Sequence, residues 1–279
     1  MRFGAMTAAS VRWSESEVQA EDGYRIPLRI YDGPRAGLAT LVWAHGGSWT
    51  RGSLEDWHAA CLALTSLCGL RIVNVGYRLA PRWTHPTALN DLLRVVRWAS
   101  AHLTDPASQL VIGGDSAGGT IAAGAALWCR DHGIPLAGQI LAYPPLDPEC
   151  TAPSYLAMPA RFPERRQLQQ AWARYRGPLA DRMGESYLTP LNGSNLSGLC
   201  RTALITGTFD PVSDDVRSYA ANLQRDGVPA LLHIDPALEH GDFLFQRGPR
   251  PNPVHVWINT VLDTWFDTTH DHNRMRTPR

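Results

Sequence analysis

Short apolar runs alternate with longer stretches of helical period over most of this chain. Leu38 to Trp43, Arg71 to Val75, Leu110 to Ile112, Gly138 to Ala142, Ala203 to Thr206 and Ala230 to Ile234 are largely hydrophobic. Strands buried on both faces of a parallel sheet read this way. Between them, Trp57 to Cys68, Thr87 to His102, Gly119 to His132 and Ser213 to Asp226 carry apolar residues at helical spacing, and a last helix is predicted over Pro253 to Trp265. Strand, helix, strand in repetition predicts an α/β fold, a mostly parallel sheet of about eight strands with helices on both faces.

Two regions depart from that alternation. Val11 to Val18 and Ile26 to Tyr31 flank Glu21-Asp22-Gly23, which predicts an antiparallel hairpin at one sheet edge. Residues 147–188 are rich in proline and aromatics, with helical pattern from Glu164 to Tyr175. This segment reads as an insertion over the sheet, a cap. There is no internal repeat or low-complexity linker, so one domain over residues 1–279 is expected, with a short N-terminal segment 1–20. A chain of 279 residues, 44% hydrophobic, is long enough for one large core.

Charge narrows the function classes. Twenty-six basic and 26 acidic side chains cancel, so nothing steers the protein to nucleic acid or an anionic membrane. The charged runs at Pro163 to Arg166 and Arg247 to Arg250 are short and read as solvated surface. No stretch approaches the roughly 18 apolar residues of a membrane span. Met1 to Ser10 has no apolar core of signal-peptide type. Cysteines 61, 68, 129, 150 and 200 are odd in number and lack metal-site spacing, so they read as small buried hydrophobes, and reduced thiols fit a cytoplasmic location. His270 and His272 in the polar tail read as solvated. No metal or cofactor is expected.

The chemistry concentrates at Gly114-Asp115-Ser116-Ala117-Gly118, a G-x-S-x-G between a predicted strand and a predicted helix. A serine on that sharp turn projects its hydroxyl above the sheet. Serine is a weak nucleophile and needs an adjacent base. This arrangement orders the partners serine, acid, histidine along the chain. His240, in Leu238-Glu239-His240-Gly241 beyond the last strand, is the predicted general base. His233 lies inside the strand and reads as a core residue; His255 reads as helix surface. Asp210, in Gly207-Thr208-Phe209-Asp210-Pro211, is the predicted acid that orients the imidazole. Asp214 and Asp215 are rivals that fall in a first helical turn, where they favour the helix dipole. Asp235 is a further rival.

Acyl transfer builds charge on a carbonyl oxygen, which backbone N–H groups must meet. His45-Gly46-Gly47-Ser48-Trp49 follows a predicted strand, and its glycines permit close backbone approach. The oxyanion hole is assigned to the N–H groups of Gly47, Ser48 and Ala117, with His45 in a structural role. Tyr155, Phe162, Trp172 and Tyr175 suggest an apolar pocket and fit ordinary core packing equally well.

These motifs resemble the hormone-sensitive-lipase-like esterases of the α/β-hydrolase fold, from about Glu21 to the final helix. His45 to Trp49 is similar to that family's H-G-G-G-[FW], Gly114 to Gly119 to its G-D-S-A-G-G, and Tyr77-Arg78-Leu79-Ala80-Pro81 to its Y-R-L-A-P. Thr206 to Pro211 and His240-Gly241 are similar to its acid and histidine loops. The resemblance implies carboxylester hydrolysis of a small molecule without cofactor. Departures stand at Ser48 for the third glycine, Gly76 for an aspartate, Arg82 for a glutamate and Asp242 for an aromatic. Ser48 also resembles the formamidase branch. Asp242 reads equally as a polar pocket residue or as exposed surface. The short N-terminal segment implies a reduced cap and a more open site. Other chemistry on the same triad remains open: amide or formamide cleavage, acyl transfer, or acyl elimination. So does a non-catalytic binding protein. An edge strand or the last helix could pair two copies as a homodimer.

Overall fold

The computed structural model describes residues 11–104, 109–158, 161–177, 185–191, 195–245 and 250–266. Eight strands form one sheet: β1 (Arg12–Gln19), β2 (Arg25–Asp32), β3 (Ala39–Ala44), β4 (Arg71–Val75), β5 (Gln109–Asp115), β6 (Gly138–Ala142), β7 (Thr202–Gly207) and β8 (Ala230–Asp235). Their order across the sheet is β1-β2-β4-β3-β5-β6-β7-β8. β1 pairs antiparallel with β2, and β2 antiparallel with β4. From β4 through β8 every pairing is parallel. The predicted hairpin is therefore present, at the predicted edge.

Helices α1 (His58–Cys68), α2 (Thr87–His102), α3 (Ala117–Asp131), α7 (Ser213–Arg225) and α8 (Pro253–Phe266) match the helical periods. α1 packs against α8, and α2 against α3. Between β6 and β7 the chain forms α4 (Pro153–Ala157), α5 (Arg165–Arg176) and α6 (Glu185–Leu188). Residues 159–160 and 178–184 of the predicted cap lie outside the described residues, as do His270, His272, residues 1–10 and 246–249.

Two predictions need correction. The apolar reading stopped the third strand at Ile112, yet β5 continues to Asp115. Gly113 and Gly114 pair with Trp43 and Ala44 of β3, and Asp115 with Ala142 of β6. Backbone ladders on both sides hold residues whose side chains carry no hydrophobic signal. Conversely, the run Ala230 to Ile234 is not buried. β8 ends the sheet, and Leu231 is 52% exposed.

Candidate active site

Ser116 occupies a backbone conformation that side chains rarely adopt, φ 50° and ψ −123°, as the residue before α3. Tight packing imposes it. A Cβ on Gly118 would sit 2.0 Å from the Ala44 carbonyl oxygen, and one on Gly114 would sit 2.4 Å from the Gly118 carbonyl carbon. The Ser116 N–H donates to the Ala142 carbonyl at 2.8 Å. The turn therefore presents the hydroxyl at the carboxyl end of β5, the predicted nucleophile elbow.

The structure brings all three predicted triad residues together. Ser116 Oγ lies 2.8 Å from His240 Nε2. His240 Nδ1 lies 3.0 and 3.1 Å from the two carboxylate oxygens of Asp210. Asp210 accepts at Nδ1, so that nitrogen carries the proton and Nε2 faces the serine as acceptor. Asp210 is 1% exposed and His240 8%. The Val212 N–H also donates to Asp210 at 3.0 Å and fixes the carboxylate.

His240 starts from the edge strand and must reach back across β7 and β6. Two contacts fold its loop over the sheet. The Phe243 N–H donates to the Tyr143 hydroxyl at 2.7 Å, and the Phe243 ring stacks on Trp43 at 4.5 Å. Tyr143 itself follows β6 with a positive φ of 39° and lies 4.8 Å, ring to ring, from His240. Nothing in the sequence pattern singled out Tyr143 or Phe243. Asp242 is 3% exposed, not a surface residue; it accepts the Glu239 N–H at 2.8 Å and closes the turn around His240. His255 is likewise buried, 4% exposed, with Nε2 donating to the Phe243 carbonyl at 2.9 Å, which corrects its reading as helix surface. Burial pushes its pKa down to about 4. His233 is half-buried on β8, its ring 5.9 Å from that of Trp257, and takes no part.

The rival acids have other partners. Asp214 accepts the Ser154 N–H at 2.9 Å. Asp215 accepts the N–H groups of Leu146 and Asp147 and the Tyr155 hydroxyl, at 2.8, 2.9 and 2.7 Å. Both pin the segment after β6 to the start of α7. Asp235 accepts the Ala237 N–H at 2.8 Å, in the turn after β8.

Gly47, Ser48 and Trp49 run through positive φ of 111°, 55° and 59°. A Cβ on Gly47 would sit 2.1 Å from the Arg51 carbonyl oxygen, so only glycine fits. This loop is tied to the serine turn by Asp115. Its carboxylate accepts from Trp43 Nε1, Trp57 Nε1 and the Gly46 N–H at 3.0, 2.9 and 3.2 Å. Burial pushes its pKa up to about 7, against these three donors. His45 is buried and holds its own loop, with Nδ1 2.7 Å from the Gly46 carbonyl and a pKa pushed down to about 4 by burial.

The Tyr-Arg-Leu-Ala-Pro run acquires a function here. The Tyr77 hydroxyl donates to the His45 carbonyl at 2.7 Å, and the Ala80 N–H to the Trp49 carbonyl at 2.9 Å. Arg78 forks onto the buried Asp91 at 2.7 to 3.2 Å. Gly76 fits the hairpin. A Cβ there would sit 2.8 Å from Pro27 Cγ. Arg82 is exposed, its guanidinium 5.3 Å from the Trp83 ring. Of the aromatics considered for an apolar pocket, Tyr155, Trp172 and Tyr175 are core residues at 1%, 1% and 2% exposure, whereas Phe162 is 56% exposed with its ring 5.5 Å from His240.

The alpha/beta hydrolase fold family profile matches residues 41–244. Ethyl acetate hydrolase of Pseudomonas putida is 32% identical over 83% of this chain and 75% of its own length. Carboxylesterase NlhH of Mycobacterium tuberculosis is 33% identical over 77% of this chain and 70% of its own. The crystal structure of esterase LipW from Mycobacterium marinum superposes with a TM-score of 0.84 at 30% identity, covering 93% of this chain and 83% of that one. Fold, motif spacing and overall similarity agree: the chain belongs to the α/β-hydrolase family, on its hormone-sensitive-lipase-like branch.

Proposed function

We propose that this protein is a serine carboxylesterase acting on small to medium acyl esters through Ser116, His240 and Asp210. The observation that carries the reading is the unbroken chain from Ser116 Oγ to His240 at 2.8 Å and from His240 to Asp210 at 3.0 Å. His240 takes the proton as Ser116 attacks the carbonyl carbon. Asp210 holds the tautomer and stabilises the imidazolium. The N–H groups of Gly47, Ser48 and Ala117 receive the oxyanion. His240 then protonates the leaving alcohol, and water repeats the cycle on the acyl-enzyme. No step calls for a cofactor. Relatives named for ester hydrolysis support this class.

Residues 147–188 act as a cap within a single hydrolase domain. Five unpaired cysteines support a cytoplasmic location. The edge of β8, unpaired among the described residues, supports a homodimer.

The test is hydrolysis of p-nitrophenyl esters over a ladder of acyl lengths, with Ser116→Ala and Asp210→Asn alongside. Wild-type turnover to free acid is expected, with Ser116→Ala inactive and Asp210→Asn down about 10⁴-fold in kcat, since the histidine loses its correct tautomer. Turnover that survives in Ser116→Ala would sink the assignment. Ester, amide or alkene products in place of free acid would move the site to transfer or elimination.

A further inference from the structure

A cavity of about 430 Å³ opens between the loop after β3 and the cap helix α5. That volume is ample for a small organic group. Ser48 and Phe162 both line it. Ser48 carries one proposed oxyanion donor, and Phe162 meets the His240 ring at 5.5 Å. The cavity therefore adjoins the proposed reaction centre on two sides.

Its walls are mixed: Pro81, Phe162, Pro163, Leu168 and Ala171 face a polar, basic side. Arg51 enters from the loop after β3. Gln167, Gln170 and Arg174 come from α5, at spacings of three and four that set them on one helix face. Among the described residues, no acidic side chain lines the cavity. Glu164 precedes α5 but is not part of the wall. Among the described residues, neither Arg51 nor Arg174 pairs with a carboxylate, whereas three other cap arginines are engaged. Arg161 pairs with Glu239, Arg176 with Glu149, and Arg165 donates to the Cys150 carbonyl. A guanidinium is always charged, and its planar fork matches a carboxylate.

We propose that this cavity is the subsite for an anionic group of the substrate: the enzyme favours esters bearing a carboxylate, which Arg51 and Arg174 hold, with the Gln167 and Gln170 amides as further donors. The proposal rests on the ester-hydrolase reading above and adds the charge of the substrate. It also accounts for a cap that turns Tyr155, Trp172 and Tyr175 into the core while Gln167, Gln170 and Arg174 face this cavity.

Two matched pairs of esters test it. On the acyl side, p-nitrophenyl hydrogen glutarate is compared with p-nitrophenyl pentanoate. On the alcohol side, p-acetoxybenzoate is compared with its methyl ester. Each rate is divided by that of hydroxide alone. The wild type is expected to favour the charged member of at least one pair. Arg174→Gln and Arg51→Gln should each lower kcat/KM for that member about tenfold, chiefly through KM, in the range of a hydrogen bond between charged partners. The neutral members should change less than about twofold, which also reports correct folding. Added salt should raise KM for the charged member alone. A wild type with no preference in either pair would overturn the proposal, as would a preference that survives the double substitution. In both cases the neutral esters would still be turned over and the esterase reading would stand. Failure of the wild type on the neutral esters would instead remove that reading.

Discussion

A hydroxyl holds its proton at neutral pH, so the reactivity of Ser116 depends on where its backbone is forced to sit. At φ 50° the residue is strained, and the neighbouring glycines are what let the turn persist. Buried carboxylates supply much of the scaffolding around it. Asp115 links the serine turn to the loop of Gly47, and Asp215 holds the segment after β6; burial pushes both up to about 7 from an ordinary 3.8. Between these values each of these two carboxyls binds more proton in the native protein than in the unfolded chain. The stability contributed by each is therefore fully present below about pH 4 and lost as pH rises through about 7. Asp215→Asn keeps an oxygen acceptor and removes the titration. Its stability relative to wild type should shift in favour of the variant between about pH 4.5 and pH 7.5, read by urea unfolding. The buried histidines His45, His85 and His255, each pushed down to about 4 by burial, titrate in the opposite sense but are common to both proteins and cancel. A gap that stays constant across the range would show that Asp215 is ionised in the native state throughout.

Among the elements, α5 ties the proposed cap to the proposed reaction centre. Its helical period was legible, because Leu168, Ala171, Trp172 and Tyr175 recur at spacings of three and four and all are buried. Its target was not. The Trp172 and Tyr175 rings close on Trp49 at 4.2 and 5.0 Å, and Trp49 follows Ser48 with φ 59°. Removing Trp172 opens a cavity against the loop that supplies the proposed oxyanion donors. Trp172→Ala should cost about 3–5 kcal/mol in urea unfolding. It should also lower kcat on p-nitrophenyl butyrate more than it raises KM. An unchanged kcat in folded variant protein would show that the cap does not support the oxyanion loop. Other element-level readings failed for local reasons. Strand β5 outran its apolar run because backbone pairing needs no side chain, and His255 was misplaced because the polar atom it meets, the Phe243 carbonyl, belongs to a loop 12 residues away.

At the scale of the molecule, the sheet order decides what meets what. β3 and β5 are neighbours, so the loop of Gly47 and the turn of Ser116 share one rim. β8 closes the sheet with one edge unpaired among the described residues and with Leu231 half exposed. An open edge invites a second copy, and a two-fold axis would bring Leu231 near its counterpart. Sedimentation of the wild type should give a dimer and Leu231→Lys a monomer; a monomeric wild type would remove that expectation. The sequence by itself determined the fold class, the strands and longer helices to within a few residues, and the choice of Ser116, His240 and Asp210 as the candidate triad. Periodicity, turn glycines and chain order are local properties and survive in one dimension. Only the tertiary structure decided how His240 crosses two strands to reach Ser116, pinned by Tyr143 and Phe243, and that Asp115, Asp215 and Asp242 are buried struts. It alone decided that Arg51 and Arg174 wall the space beside the site together with Phe162, while Tyr155, Trp172 and Tyr175 turn into the core. Those outcomes depend on which residues distant along the chain exclude water from one another, and no local pattern carries that information.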